Sequence, residues 1–511
     1  MIFLALILIL VSTLRFLPAY ITGLPFSIDA WPLIRDINIL IENSPIDLVD
    51  KRFDGYNNYW PGSILLLGVL KVVTGLSTFE TIYSSISNFI TIIVLYILVK
   101  RKLGVDPALL STFLLAIVYP ISFFTAGFTK ELVALPLYLS IIYIILYRLN
   151  LVLIAPLIIV TLVITHHLTS LMTLLILLSI SILRFHNAIY NWKIPIKEAL
   201  LSLYLFLVGY THYVIFGVYG MKLTVDLDST LVIISYYITF MFFAWLTSKY
   251  REISNYLKVI IFSTPFIITI LLAYYMLTYG VLITGPNPGF IYIIYGLDLI
   301  IMPSYIAIGI GYVLKKQCPE YVYWLFAITS ILASQIFVPN IKPGIPYSRV
   351  FNFTLVPAII IASAVIYNRL KDFIVPILIG FIIACSFLCY ISSYNGNPYL
   401  GYQWWYKKSE VQTGYFLNNY ASNLQLAGDL KVKYLFNDFF MFPVDTKLGL
   451  QIISLKPFQI NTKVVFIAYE SMWKIGYLNK DFPKPIHYGP DILENYSIVY
   501  NNGYINCYMV S

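Results

Sequence analysis

Long apolar runs are the feature that most limits what this chain can fold into. Thirteen of them approach the roughly 20 residues that a helix needs to cross a bilayer. They lie at residues 2–19, 80–99, 107–126, 132–148, 151–165, 168–184, 198–217, 230–247, 258–278, 290–313, 321–338, 350–367 and 373–393. Of the 511 residues, 59% are hydrophobic and 11% charged, whereas soluble domains carry roughly 25% charged residues. The pattern predicts an all-α polytopic membrane protein with 13 transmembrane helices, and it excludes a soluble enzyme and a nucleic-acid-binding protein.

Basic residues predict the orientation of these helices. One set of loops holds Lys100, Arg101, Lys102, Arg148, Arg184, Lys193, Lys197, Lys249, Arg251, Lys258, Lys315, Lys316, Arg369 and Lys371. The opposite short loops hold only Lys130, Lys222, Lys342 and Arg349. Because cytoplasmic loops are rich in Lys and Arg, we expect a multi-pass protein of the cell membrane. Its N-terminus would be cytoplasmic and its C-terminal segment extracellular.

Residues 61–76 are apolar but short, contain Lys71 and follow Tyr59-Trp60-Pro61. Aromatic side chains concentrate at membrane surfaces, so this stretch predicts an amphipathic helix at the interface, within a first external loop of residues 20–79. Counting it as a span would place Lys100, Arg101 and Lys102 on the side opposite the later basic clusters. We therefore leave it out of the list of spans.

The composition changes after residue 393, so we predict a transmembrane domain of residues 1–393 and an external α/β domain of residues 394–511. Ser409-Glu410-Val411-Gln412 is typical of a capping box and predicts a helix over 410–426. Strand-like runs follow at 431–436, 449–454 and 463–469. Asn502-Gly503 stands between alternating apolar runs, which indicates a β-hairpin.

Acidic residues are concentrated in the first external loop. It holds six of the 24 acidic residues of the chain: Asp29, Asp36, Glu42, Asp47, Asp50 and Asp54. Asp29 lies in an apolar stretch close to the first span, where partial desolvation makes a carboxylate a useful base. Asp36 is seven residues further on and is expected to cap a helix or to face the same cleft. We interpret Asp47, Asp50 and Asp54 as solvated loop residues.

Further polar residues stand at the external ends of later spans. Glu131 follows Lys130 at a helix start, where the helix dipole favours a carboxylate; capping alone would also explain it. His166 and His167 are adjacent and point about 100° apart on a helix. This favours hydrogen-bond donors over a metal site, with an interfacial anchor as the alternative. Arg349 begins span twelve and could bind lipid headgroups or a substrate phosphate through its forked donors.

Taken together, the order of features resembles the GT-C superfamily of integral-membrane glycosyltransferases, which includes protein O-mannosyltransferases, aminoarabinose lipid A transferases and oligosaccharyltransferases. The features are an early first-loop Asp29, the Tyr59-Trp60-Pro61 stretch, a span that ends in Lys100-Arg101-Lys102, the acidic Glu131 and an external closing domain. The resemblance covers mainly residues 1–190 and the topology. The composition also resembles that of archaeal proteins.

The resemblance implies roles for individual residues. Asp29 matches the first-loop catalytic acid, Glu131 a second carboxylate and Arg349 an arginine that contacts the lipid-linked donor. Trp404-Trp405 is similar to the start of the Trp-Trp-Asp-Tyr-Gly motif of oligosaccharyltransferases, but Tyr406-Lys407-Lys408 follows. The missing Asp argues against transfer of an Asn-linked oligosaccharide and favours a monosaccharide-type enzyme.

The implied reaction moves a sugar from a polyprenyl (dolichyl) phosphate to a protein or glycolipid acceptor outside the membrane, with inversion. Asp29 would act as base, Glu131 would orient the acceptor or the base, and Lys130, Arg349 or a histidine would neutralise the leaving phosphate. No metal ligands are predicted, although members of the superfamily differ in their need for a divalent cation. A transporter or flippase of lipid-linked sugars remains an alternative through the intramembrane Asp298, and a structural membrane protein is a third.

Overall fold

The structure is a computed structural model. It describes residues 2–43, 47–76, 79–147, 153–191, 195–221, 226–249, 297–338, 347–369, 374–395, 400–421, 423–457, 463–479, 482–484 and 488–510, and the isolated positions 267, 271, 341, 345, 397 and 486. The predicted span at 258–278, the start of the one at 290–313, and Lys222 and Lys342 lie outside the described residues. So does the side chain of Asp298.

Helices make up most of the described chain. They are α1 (Ile2–Thr22), α2 (Ala30–Glu42), α3 (Gly62–Thr74), α4 (Phe79–Leu103), α5 (Val105–Ile117), α6 (Tyr119–Ala126), α7 (Lys130–Tyr147), α8 (Ala155–Thr165), α9 (His167–Asn191), α10 (Ile196–His212), α11 (Leu227–Lys249), α12 (Leu297–Lys315), α13 (Glu320–Phe337), α14 (Tyr347–Arg369), α15 (Ile374–Tyr394), α16 (Lys408–Tyr420), α17 (Leu430–Phe436), α18 (Thr446–Ile453) and α19 (Glu470–Ile475).

Eight helices in the described ranges are long and apolar enough to cross a membrane, or nine if the bent pair α5–α6 counts as one span. The protein is therefore a polytopic helical membrane protein, as predicted. The predicted spans at 151–165 and 373–393 form helices with shorter apolar stretches, Ala155–Thr165 and Ile379–Tyr394. The predicted number of 13 spans stays a prediction. Helix α3 has 13 residues and is one of the shorter apolar helices.

A buried arginine holds the break between α5 and α6, whose axes differ by 65°. Arg15 of α1 is 1% exposed. Its guanidinium donates to the carbonyl oxygens of Ala116 at 2.7 Å and Leu115 at 3.2 Å, at the end of α5. It also donates to the hydroxyls of Ser122 and Thr125 in α6. Because the last carbonyls of a helix have no partner within it, Arg15 supplies donors where the chain turns.

The transmembrane helices share one apolar core. Side chains of α1, α4, α5, α7, α8, α9, α13 and α14 contribute buried residues to it. Within it, the indole of Trp324 in α13 donates to the hydroxyl of Tyr138 in α7 at 2.8 Å. Because the helices pack in one core, their ends occupy fixed positions, and so do the polar residues at those ends.

The C-terminal segment forms a five-stranded sheet in the order β2-β1-β3-β7-β6. The strands are β1 (Gln425–Ala427), β2 (Val444–Asp445), β3 (Val464–Tyr469), β6 (Ser497–Asn501) and β7 (Ile505–Val510), and a separate pair comprises β4 (Tyr477–Asn479) and β5 (Phe482–Lys484). β1 runs parallel to β2 and β3, whereas β7 is antiparallel to β3 and β6. The predicted strand at 463–469 and the hairpin at Asn502-Gly503 are confirmed.

Two predicted strands in this segment are wrong. Residues 431–436 lie in helix α17, and residues 449–453 lie in helix α18, which Ser454 terminates. The side chain of Asp429 accepts from the amide of Val432, and that of Asp445 accepts from the amides of Lys447 and Leu448. Both aspartates are N-caps, which begin helices. The apolar residues after them alternate as in a strand, and for this reason both segments were predicted as strands. The helix predicted over 410–426 forms at Lys408–Tyr420, while residues 425–426 lie in β1. Its capping box is not the predicted Ser409–Gln412: the helix is capped at Lys407, whose amide donates to Glu410 at 2.6 Å.

The C-terminal segment packs on the first external loop. The Trp31 ring of α2 lies 5.3 Å from the rings of Tyr406 and Phe439, measured between centroids. The guanidinium of Arg35 donates to the carbonyl oxygens of Asn437 and Asp438 at 3.4 and 3.3 Å. Helix α2 is therefore held between the transmembrane helices and the sheet.

We predict that Arg15→Met lowers the unfolding temperature of the purified protein. Methionine has a similar length but cannot donate to the two carbonyl groups at the end of α5, and each buried polar group left without a partner costs about 1–3 kcal/mol. The matched control is Ile9→Ala in the same helix, because Ile9 is 63% exposed. Equal unfolding temperatures of Arg15→Met and wild type would contradict this account of the bend.

Candidate active site

All the predicted site residues except Asp36 lie at helix ends. Asp29 stands immediately before α2, and Lys130 and Glu131 begin α7. His166 separates α8 from α9, which begins at His167. Arg349 lies in the first turn of α14. The fold thus places six polar residues, from four separate parts of the chain, at the ends of helices.

Arg349 joins the two predicted carboxylates. Its Nη2 donates to Oδ2 of Asp29 at 2.8 Å, and its Nη1 donates to Oε1 of Glu131. Oε1 of Glu131 also lies 3.3 Å from Nε2 of His166. Both carboxylates therefore bind one guanidinium through charge-assisted hydrogen bonds, which are stronger than bonds between neutral groups. We call Asp29, Glu131, His166 and Arg349 the ion-pair network.

The network is open to solvent on one side. The side chains of Asp29 and Arg349 are 26% and 29% exposed, whereas those of Glu131 and His166 are 4% and 1% exposed. A substrate can therefore reach Asp29 directly, while Glu131 supports Arg349 from behind. Burial lowers the pKa of His166 below its ordinary value. Its Nδ1 accepts from the amide of Thr169 at 3.3 Å, so the neutral ring presents Nε2–H to Glu131.

Two buried polar groups beside the network have no hydrogen-bond partner among the described residues. They are Nζ of Lys130 and Nδ1 of His167. The Lys130 ammonium lies 3.7 Å from the ring centroid of Tyr56 and 5.6 Å from that of Trp60. The His167 ring lies 4.9 Å from that of Trp60. A buried ammonium without an acceptor calls for an explanation, and an anionic ligand would supply one.

The turn that carries Tyr56 is organised by Asp54. Oδ1 of Asp54 accepts from the amides of Tyr56 at 2.8 Å and Asn57 at 2.6 Å. The interpretation of Asp54 as a solvated loop residue is therefore wrong. Tyr56 was not predicted as a site residue, because nothing in its sequence surroundings indicates a cation partner so distant along the chain.

Asp36 does not join the network. It is completely buried, its Oδ1 accepts from the amide of Asp54 at 3.0 Å, and its Oδ2 has no partner among the described residues. Burial and the neighbouring charge of Asp54 raise the pKa of Asp36 to about 9. Its predicted role in substrate binding is therefore corrected to that of a neutral, buried carboxyl group in the first loop.

No family model and no curated protein sequence matches the chain, but solved structures are similar to it. One is an oligosaccharyltransferase of Archaeoglobus fulgidus in complex with Zn and sulfate, with a TM-score of 0.54 and 12% identity over 92% of this chain and 68% of that one. Another is the archaeal oligosaccharyltransferase AglB from the same organism in complex with an inhibitory peptide and a dolichol-phosphate. Its TM-score is 0.53, and the sequences are 13% identical over 86% of this chain and 63% of that one. The chain has a GT-C-like fold.

This similarity confirms the resemblance that the sequence suggested, at the level of fold. The zinc in one neighbour raises the question of whether a cation fits beside Asp29 and Glu131. In this chain the guanidinium of Arg349 already binds both carboxylates and would repel a cation there. The described residues include no group of three or more His, Cys, Asp or Glu placed to hold a metal ion. The site as arranged does not fit a metal, and we derive no chemical step through one.

We predict that Asp36→Asn makes folding stability less dependent on pH. The folded protein keeps the Asp36 proton up to about pH 9, whereas the unfolded chain loses it near an ordinary aspartate pKa of roughly 3.9. This contribution to stability is therefore complete below about pH 4 and is lost as the pH rises toward 9. Because asparagine does not titrate, the stability of Asp36→Asn should lack this dependence on pH.

The measurement is the unfolding temperature of wild type and Asp36→Asn in the same detergent between about pH 5 and pH 8.5. Wild type should lose more stability across this range than the variant. Asp47→Asn, in an exposed part of the same loop, should behave as wild type does. Parallel curves for wild type and Asp36→Asn would show that Asp36 is ionised in the folded protein.

Proposed function

We propose that this protein is a membrane glycosyltransferase that moves a sugar from a polyprenyl-phosphate donor to an acceptor outside the membrane. The observation that carries the proposal is a solvent-accessible carboxylate, Asp29, held beside a buried ammonium, Lys130, that lacks an acceptor. A base for the acceptor and a cation for the leaving phosphate are the two groups that such a transfer needs.

The donor phosphate would bind at Lys130 and His167. Lys130 is buried and His167 is half-buried, and each has a buried atom without a partner in the described part of the chain, so a phosphate oxygen would pair the Lys130 ammonium. The sequence suggested Arg349 as another phosphate ligand. Its guanidinium already donates to two carboxylates, so we assign it instead to holding Asp29 and Glu131.

Asp29 would act on the acceptor. Its Oδ2 accepts from Arg349, which leaves Oδ1 to accept the proton of an acceptor hydroxyl. The hydroxyl oxygen then bonds to the anomeric carbon as the bond between that carbon and the phosphate oxygen breaks. The polyprenyl phosphate departs as a stable anion beside Lys130, and a single displacement of this kind inverts the sugar carbon. Glu131 and the neutral His166 would fix Arg349, and through it the direction of Asp29.

The nature of the substrates has separate support. The AglB structure is a complex with a dolichol-phosphate and an inhibitory peptide, which supports a lipid phosphate donor and a protein acceptor here, with a glycolipid acceptor as the other class. We also propose that the N-terminus is cytoplasmic and that the sheet domain is extracellular, on the strength of the basic-residue distribution. The transporter alternative depends on Asp298, whose side chain is outside the described residues, and so has no comparable support.

We expect Asp29→Asn to lower the rate of sugar transfer by about 100- to 10,000-fold, the usual cost of losing a general base. Asparagine keeps the size of the side chain and can still accept from Arg349, but it cannot take a proton. The measurement is transfer of labelled sugar from a polyprenyl-phosphate donor by purified protein in lipid.

The matched control is Asp50→Asn. Asp50 lies in the same loop and its carboxylate pairs with Arg52, two residues away. This variant should turn over at nearly the wild-type rate. Near-normal transfer by Asp29→Asn would remove the general-base role, whereas equal losses in both variants would indicate a defect in loop folding.

A further inference from the structure

The turn that carries Asp29 has an unusual backbone. Ser27 has a φ of 106°, a region that residues other than glycine rarely adopt, because the Cβ clashes with the backbone. Its side-chain oxygen accepts from the amide of Asp29 at 3.1 Å, and its carbonyl accepts from the amide of Ala30 at 3.4 Å. A strained residue of this kind persists only where its surroundings hold it.

Hydrogen bonds hold this turn from two sides. The amide of Ser27 donates to the carbonyl oxygen of Trp404 at 3.3 Å, and the amide of Phe128 donates to the carbonyl oxygen of Phe26 at 2.9 Å. Phe128 lies two residues before Lys130 in the chain. The Asp29 turn is therefore bonded both to the segment that leads into Lys130 and Glu131 and to the segment that leads into the external sheet.

Aromatic rings close the same contact. The ring of Phe26 lies 5.6 Å from Trp404 and 4.8 Å from Trp405, measured between centroids. Trp404 also lies 5.3 Å from Phe123. The indole of Trp405 donates to the hydroxyl of Ser393 at 2.8 Å. The two tryptophans thus pack inward on the turn and on α6.

A glycine allows this approach. A Cβ added at Gly127 would lie 2.7 Å from Cζ3 of Trp404 and 3.0 Å from Cβ of Ser27. Gly127 itself has a φ of −70° and a ψ of 147°, which any residue adopts. The requirement for glycine is therefore one of space: only a residue without a side chain lets Trp404 and Ser27 meet here.

We propose that Trp404 and Gly127 form a clamp on Ser27 that sets the position of the Asp29 carboxylate, which makes Trp404 a positioning residue for the transfer reaction. The inference rests on the proposed function, since it assumes that Asp29 is the base. The clamp fixes the backbone two residues before Asp29, at Ser27, whose φ of 106° is unfavourable for a residue with a side chain. The external domain thereby helps to position the site through Trp404, in the segment that leads into the domain, and it contributes no reacting group.

Hydrogen exchange tests the clamp without requiring activity. Exchange over residues 24–31 should be faster in Trp404→Ala and in Gly127→Ala than in wild type. Two matched controls should leave it unchanged: Trp473→Ala, a partly buried tryptophan of the same domain, and Gly209→Ala, where an added Cβ meets nothing within 4 Å. Wild-type exchange over residues 24–31 in both clamp variants would overturn the proposal.

Kinetics test the link to Asp29. Trp404→Ala should lower kcat by about 10- to 100-fold, since small misplacements of a reacting group can cost roughly 100-fold. The KM for the donor should be unchanged, and Trp404→Phe should retain most of the activity. Combined with Asp29→Asn, Trp404→Ala should cause no further loss, because both changes remove the same base.

The outcomes separate the two proposals. Losses that multiply in the double variant would overturn the positioning role of Trp404, because Trp404 would then act independently of Asp29. If wild type transfers no sugar at all, the proposed function fails, while faster exchange in the two clamp variants alone would still establish the clamp.

Discussion

The site depends on one guanidinium between two carboxylates. Arg349 is separated from Asp29 by 320 residues and from Glu131 by 218 residues, and it is the group that brings the first loop, α7 and α14 together. Without it, two carboxylates in a partly buried place would repel each other, and one would take up a proton or turn to solvent. With it, Asp29 is held at the open edge of the site while Glu131 remains buried behind.

Two other sets of contacts between distant parts of the chain hold its bends in place. Arg15 holds the break between α5 and α6 just before the segment that carries Lys130. Trp404 and Gly127 hold the turn before Asp29. In each case a polar or strained element that would be costly alone is stabilised by a partner distant in sequence. Asp29 is thus positioned by contacts from the helix bundle and from the C-terminal segment together.

The sequence predicted the membrane class, the GT-C resemblance and the identity of most members of the site. Apolar length and charge placement sufficed because the bilayer imposes strict rules on both. Asp29, Lys130, Glu131, His166 and Arg349 were recognisable as polar residues at the ends of predicted helices. The ion pairs among them could not be predicted, because the sequence without the fold does not show which helix ends lie together.

The failures have particular physical causes. Asp36 looked equivalent to Asp29 by spacing, yet helix α2 turns it into the loop interior beside Asp54. Tyr56 and Trp60 look like ordinary interfacial aromatics until the fold places them around Lys130. Two helices of the C-terminal segment were predicted as strands because their apolar residues alternate, although Asp429 and Asp445 cap their N-termini.

The central claim is that a lipid phosphate binds beside Asp29, and a structure of the protein in lipid with a bound polyprenyl phosphate tests it most directly. The account predicts a phosphate oxygen within hydrogen-bonding distance of the Lys130 ammonium, about 2.7–3.2 Å, with Arg349 still bound to Asp29 and Glu131. A phosphate bound away from Lys130, or one that displaces both carboxylates from Arg349, would contradict it.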